Sequence, residues 1–365
     1  MLTELRTLTN ELQEVQSHAE GLIKVTPFKD PNNKWIVRSA LQKAVRRGDL
    51  DTAVLCAGLM LADNQFYFWR SMSIIMVEDI GPTDPDLSYL STAMMTAPPQ
   101  VKAAIREKDV AEVLLKRAIE GSKTRVCCEM SFGADILATK SDYTAIAERG
   151  SEALIDELYN LEEGMTLGTY TDAYMIMTVL AGKNPSKIKV KVEDAVLKKL
   201  FEDMLPLKQA RMAWIGYKNP IDSMHLSWLP SCLMLTDAAP VNDDIPEEPG
   251  TVKGLPSSSF DTHTMQGKMA LKAFYTSLRK DYPVINQIEE SKAAKALGAV
   301  VFVVEGVLET LRLTSPLLTE AKEFQDTTFM KHSGVPESHV EEIKDIVSSE
   351  LERLHSKRVW AVTIR

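Results

Sequence analysis

Several features that would announce a function are missing from this chain of 365 residues. No G-x-x-x-x-G-K-[ST] occurs. Neither Gly182-Lys183 nor Gly267-Lys268 has the upstream glycine or the following hydroxyl residue, so no such loop can cradle nucleotide phosphates. H-E-x-x-H, G-x-S-x-G and G-x-G-x-x-G are absent too, which removes common signatures of zinc peptidases, serine hydrolases and dinucleotide binding. Cysteine is scarce. Cys56, Cys127, Cys128 and Cys232 form no C-x-x-C pair, which argues against structural zinc or a disulfide framework and for reduced, buried thiols. No apolar run approaches the ~20 residues of a membrane helix, and the strongest, 296–304, is far too short. Residues 1–20 hold no apolar signal core. These absences lead us to expect a cytoplasmic protein with no cofactor, no metal and no membrane contact.

What is present suits a folded core, with 45% hydrophobic and 25% charged residues. The net charge of −9 opposes broad attraction to nucleic acid or anionic lipid, so any phosphate contact has to come from a local basic patch. The fold class expected is all-α. Leu2, Leu5, Leu8, Leu12 and Val15 recur at helical spacing. A break rich in Pro, Asp and Asn follows at 26–33. Helix 35–48 then carries Val37, Ala40, Leu41, Ala44 and Val45 on one face and Lys43, Arg46 and Arg47 on the other. Further helices are expected at 50–61 and at 66–80, the latter stopped by Gly81-Pro82, and Asp84-Pro85 reads as a cap and first turn of the next. Helical periodicity continues through 86–96, 101–120, 123–138, 143–160, 170–181 and 192–215, and again at 263–281, 284–312, 316–330 and 337–357. Segments 187–192 and 359–364 alternate like short strands. The proline-rich, acidic stretch 217–262 reads as a long irregular connection, either a domain boundary or a functional segment, whose first part, with Trp228, Leu229, Leu233 and Leu235, is expected to pack. The expected organisation is an N-terminal helix at 1–30, a bundle at 31–216, this loop at 217–262, and a helical segment at 263–365.

Residues 34–142 carry Ser39-Ala40-Leu41-Gln42-Lys43, Arg46, a stretch from Asp49 to Ala53, Arg70, Val77-Glu78-Asp79-Ile80-Gly81 and Asp84-Pro85, with a weaker echo at Gly121-Ser122-Lys123. In these residues the chain resembles the C-terminal helical domain of the replication-associated recombination ATPases, which are clamp-loader-like AAA+ proteins. The resemblance covers under a third of the chain. In that family the helical domain follows an ATPase module and mediates oligomerisation, and the missing phosphate loop marks a sharp departure here. The resemblance therefore implies a scaffold, a homo-oligomer and a place near a replication apparatus, in the manner of a stand-alone phage-like module, rather than ATP hydrolysis.

Three constellations are candidates for chemistry. Glu78-Asp79 sits at a helix end, where carboxylates face the negative pole of the helix dipole and need a cation; Arg70, Arg38 and Arg46 are candidates. A structural ion-pair network of Arg70, Glu78 and Asp79 is preferred to a metal or catalytic pair, because adjacent helical carboxylates diverge. Lys34, Arg38, Lys43, Arg46 and Arg47 form a basic face that could meet phosphates, set against the plainer reading of a solvated surface. His263, with Asp261 and Lys268, lies where the irregular loop enters a helix, a place suited to acid–base work or anion binding, set against a simple capping motif. Lys357, Arg358, Trp360 and Arg365 form a basic-aromatic tail.

The leading expectation is a non-enzymatic accessory protein of DNA replication or recombination, an oligomerisation and binding module. Replication or recombination proteins are its partners, and DNA is a further candidate. The rivals are a structural or virion-associated assembly protein, and an enzyme using His263.

Overall fold

The computed structural model describes residues 2–26 and 34–364; the expected break at 26–33 lies almost wholly outside them. The protein is all-α. Its only strands among the described residues are two short antiparallel pairs, Ala239–Val241 with Arg312–Thr314 and Thr251–Val252 with Leu255–Pro256. No described helix is long and apolar enough to cross a membrane. The chain folds as two compact units, each assembled from three separate stretches.

The first unit comprises residues 1–20, 66–241 and 311–325. Local signals in the sequence set its helix ends. Asp84 accepts a hydrogen bond from the Leu87 amide at 3.2 Å, with Pro85 in the first turn, and Thr139 and Asp142 complete a reciprocal capping box. Its core packs Tyr143, Tyr170, Tyr174, Phe201 and Trp228 with aliphatic neighbours. The second unit comprises residues 21–65, 242–310 and 326–365. The Met265–Asp281 helix turns Ala270, Leu271, Phe274 and Leu278 inward, where Leu297, Val300, Ile343, Val347 and Leu354 meet them. Burying each such side chain contributes about 1.5–3 kcal/mol.

The structure differs from the sequence reading in several places. The units do not follow the expected divisions at 30, 216 and 262, because helices Lys34–Arg47 and Leu50–Asp63 bury their faces in the second unit with the C-terminal helices. Residues 188–192 are extended but pair with no strand among the described residues, Lys187 sits at a φ of +54°, and 359–364 falls largely in the Leu351–Thr363 helix. The stretch 217–262 is far from structureless: it holds a 3-10 turn at Ser223–Ser227, a short helix at Trp228–Leu233 and three of the four strands. Its first part packs as expected, with Trp228 and Leu229 in the core and Leu233 and Leu235 against it. Finally, the helix expected to run to Ile80 widens into a π-turn over Met76–Ile80. The same happens at Phe302–Gly306 in the second unit.

A buried histidine sits in the first unit. The His225 ring lies 3.2 Å from the Ser73 hydroxyl, which is itself 2.7 Å from that of Thr92. Burial pushes His225 down to about 4, against the pull of Asp222. The unfolded chain takes up a proton near 6.5 that the folded chain refuses until about 4. Stability from this group is therefore complete above about 6.5 and is lost as pH falls toward 4, with a slope of about 1.4 kcal/mol per pH unit. Urea unfolding followed across this range is expected to show that slope, and His225→Gln to flatten it.

Candidate functional site

The second unit brings two of the sequence candidates together. The basic face of helix Lys34–Arg47 and the His263 locus meet in one ionic core. The Lys43 ammonium lies 3.0 Å from Asp261 Oδ2 and donates to the Ser39 hydroxyl at 2.6 Å, and Ser39 donates to the same carboxylate at 2.6 Å. Arg46 is buried, with its guanidinium on the Gly306 carbonyl at 2.5 Å. Arg47 pairs with Glu248 at 2.7 Å and donates to the Glu305 carbonyl at 3.0 Å. Ser258 closes on Glu248 through its hydroxyl, 2.7 Å, and its amide, 3.2 Å. At the centre Arg358 grips Glu305 with two parallel hydrogen bonds of 3.0 and 2.7 Å, and its Nε donates to the Phe260 carbonyl at 3.2 Å. Glu305 and Arg358 are 3% and 1% exposed, so this pair is shielded from solvent.

Of the five residues expected on a phosphate-facing surface, Lys43, Arg46 and Arg47 thus have internal partners. Arg38 stacks over the Trp35 ring at 5.7 Å, and Lys34 is exposed. The His263 constellation is divided as well. Burial opposes the Asp261 carboxylate, but Lys43, the Ser39 hydroxyl, and the charge and amide of His263 outweigh it and hold the group at about 2. His263 meets Asp261 through its backbone N–H at 2.9 Å, and its side chain is exposed. Lys268 is exposed on the outer face of helix Met265–Asp281. Thr264 caps that helix, accepting from the Gly267 amide at 2.9 Å. Gly267 is required there, because a Cβ would stand 1.9 Å from the Asp261 carbonyl oxygen. The Asp261 carboxylate is held in an ion pair, and the His263 imidazole is exposed.

In the first unit the Glu78-Asp79 pair is closed by Arg125, at 2.9 and 2.8 Å, rather than by Arg70, Arg38 or Arg46. Asp79 is fully buried, its carbonyl accepts from the Thr124 amide at 3.0 Å, and Arg125 also donates to the Cys128 thiol at 3.3 Å. The following Lys123 is buried and caps the preceding helix through the carbonyls of Ile119 and Gly121, at 3.1 and 3.0 Å. No group of three or more His, Cys, Asp or Glu able to hold a metal occurs among the described residues.

The first unit also has an open cavity of about 580 Å³ beside its N-terminal helix, Leu2–Gln16. Arg211 forms one wall, with two hydrogen bonds to Glu11 of 3.0 and 3.1 Å, and lies 4.2 Å above the Tyr89 ring. Lys208 pairs with Asp86, and Arg117 with Asp84 at 2.7 Å. His18 and Glu14 complete an amphoteric lining. Mixed charge, an aromatic floor and an open mouth suit a polar peptide better than an apolar small molecule.

Comparison with family models, with curated proteins and with solved structures gives no match. The residues that organise both ionic centres were only partly visible beforehand. Glu305 stands alone in the apolar stretch 296–307, and a lone carboxylate there signals a buried partner. Nothing local marks Arg125, Arg358 or Glu248 as that kind of partner.

Removing one member of a buried pair strands the other charge, at a cost of about 3–5 kcal/mol, whereas replacing both with apolar groups is close to neutral. Arg358→Met and Glu305→Gln are each expected to lower unfolding stability by that amount, and Arg358→Met with Glu305→Leu to recover most of it. Chemical denaturation of the three variants checks this; equal stability of single and double variants would contradict it. Asp261 adds an acid-sensitive component, present above about 3.8 and lost as pH falls toward 2. Lys43→Met is expected to remove that component from the stability–pH curve.

Proposed function

We propose that this protein is a non-enzymatic accessory factor of DNA replication or recombination, a helical module that binds partner proteins and self-associates. The observation that carries the reading is the state of the Val77-Glu78-Asp79-Ile80-Gly81 stretch, the most specific part of the resemblance to the replication-associated ATPases. It is a closed structural element: Asp79 is clamped by Arg125 and Thr124, and the Ser88 hydroxyl donates to the Met76 carbonyl at 3.0 Å. What the resemblance transfers is then scaffold. The absence of a phosphate loop and the division of the His263 constellation point the same way.

Partner binding is assigned to the cavity lined by Tyr89, Arg117, Lys208 and Arg211, whose paired charges can be exchanged for those of a peptide. Affinity capture of the intact protein from its native cells, with and without nuclease, tests the reading. Replication or recombination proteins are expected to be retained after nuclease treatment. Arg211→Glu is expected to abolish retention while leaving the melting temperature within a few degrees. Capture of structural proteins alone would replace this reading with the assembly role, and unchanged capture by Arg211→Glu would remove the cavity from it.

A further inference from the structure

The acidic chain has one strongly basic surface that the site above does not use. Between Asp172 and Glu193 no carboxylate residue occurs, and segment 183–192 carries Lys183, Lys187, Lys189 and Lys191. All four are exposed, and none makes an ion pair among the described residues. Elsewhere exposed helical lysines are commonly neutralised by neighbours, as in Lys199–Asp203 at 2.7 Å and Lys218–Asp194 at 2.6 Å.

The segment is built to hold its lysines outward. Helix Leu167–Ala181 ends at Gly182 with a φ of +69°, and the Lys189 side-chain stem packs 3.1 Å from where a Cβ on that glycine would be. The buried Asn184 side chain then braces the turn, donating to the Ile188 carbonyl at 2.7 Å and accepting from the Ile188 amide at 3.2 Å. From there the chain is extended. Val190 and Val192 lean on the core, and the Val190 amide is tied to the Val179 carbonyl at 3.4 Å. Alternation puts Lys189 and Lys191 on the opposite face, about 6.6 Å apart, and Lys187, at a φ of +54° where the turn ends, is exposed just before them. The Lys189 and Lys191 amides make no hydrogen bond among the described residues and add two donors. Lys140 extends the patch, since its carbonyl accepts from the Ser186 hydroxyl at 3.2 Å and its side chain is exposed.

We propose that this lysine strap binds the phosphodiester backbone of DNA, without base readout. Four exposed ammonium groups within ten residues, with two free amides, match a run of phosphates, and no aromatic side chain lies in the segment to stack on bases. The inference rests on the replication reading for its choice of polyanion, and it assigns the DNA contact to this strap instead of the basic face at Lys34–Arg47.

The test is fluorescence anisotropy of the full chain with a short labelled duplex and with its single strand, across a salt series. Three neutralised phosphates give a double-logarithmic slope of roughly −2.7 on duplex, so a fourfold rise in salt weakens binding about fortyfold. Lys187→Gln/Lys189→Gln/Lys191→Gln is expected to bring the slope close to zero with unchanged thermal melting, because the three side chains are exposed. Lys189→Gln alone is expected to reduce the slope by about one unit. Nuclease-resistant capture of partner proteins is expected to survive the triple substitution, so the strap and the partner-binding role fail separately. The proposal is overturned if neither DNA form binds at low salt, or if the triple variant binds as before. It is equally overturned if Lys268→Glu/Lys272→Glu carries the salt dependence instead, or if anionic vesicles bind where DNA does not. Retained DNA binding with new aggregation would reduce the lysines to guards of an unpaired edge.

Discussion

A carboxylate buried in a widened helical turn must be met by a cation, and each unit of this protein contains such a pair. In the first unit Asp79 is the fourth residue of the π-turn Met76–Ile80 and is held by Arg125. In the second, Glu305 is the fourth residue of the π-turn Phe302–Gly306 and is held by Arg358. A π-turn leaves helical hydrogen bonding irregular, and such turns recur at positions under constraint. An arginine fits because its guanidinium stays charged when buried and offers several donors in one plane. Arg125 spends them on Glu78, Asp79 and the Cys128 thiol, and Arg358 on both Glu305 oxygens and the Phe260 carbonyl.

Around Glu305 the rest of the ionic core of the second unit follows. Lys43, Arg46 and Arg47 project from one helix at positions that a surface reading would leave in solvent. They are drawn inward because Asp261, Glu248 and the carbonyls of Glu305 and Gly306 need donors there. A cation engaged in this way is unavailable to a phosphate without exposing a buried carboxylate. Segment 183–192, by contrast, holds four exposed lysines away from carboxylates. Local charge, rather than the net −9, decides where an anionic ligand can approach.

The helix ends were legible because they depend on neighbours in sequence. Asp84-Pro85, the stop near Gly81-Pro82 and the amphipathic face of Lys34–Arg47 read directly from spacing and cap chemistry. Strand readings were weaker. Exposure alternates through 187–192 and the chain is extended from 188, but pairing needs a second strand, and none comes there among the described residues. The alternation at 359–364 is a coincidence of composition inside a helix whose inward residues are Leu354, Arg358 and Ala361.

The sequence by itself determined the all-α class, most helix positions and the need for a counter-charge beside Glu78-Asp79, because propensity, capping and periodicity act within a few residues. Only the tertiary structure decided which cation answers that need, that Lys43 pairs with Asp261 across 218 positions of chain, and that Arg358 reaches Glu305. The physical reason is that burial and long-range pairing are properties of packed surfaces. A lysine on a helix wheel has the same spacing whether the facing element brings water or a carboxylate.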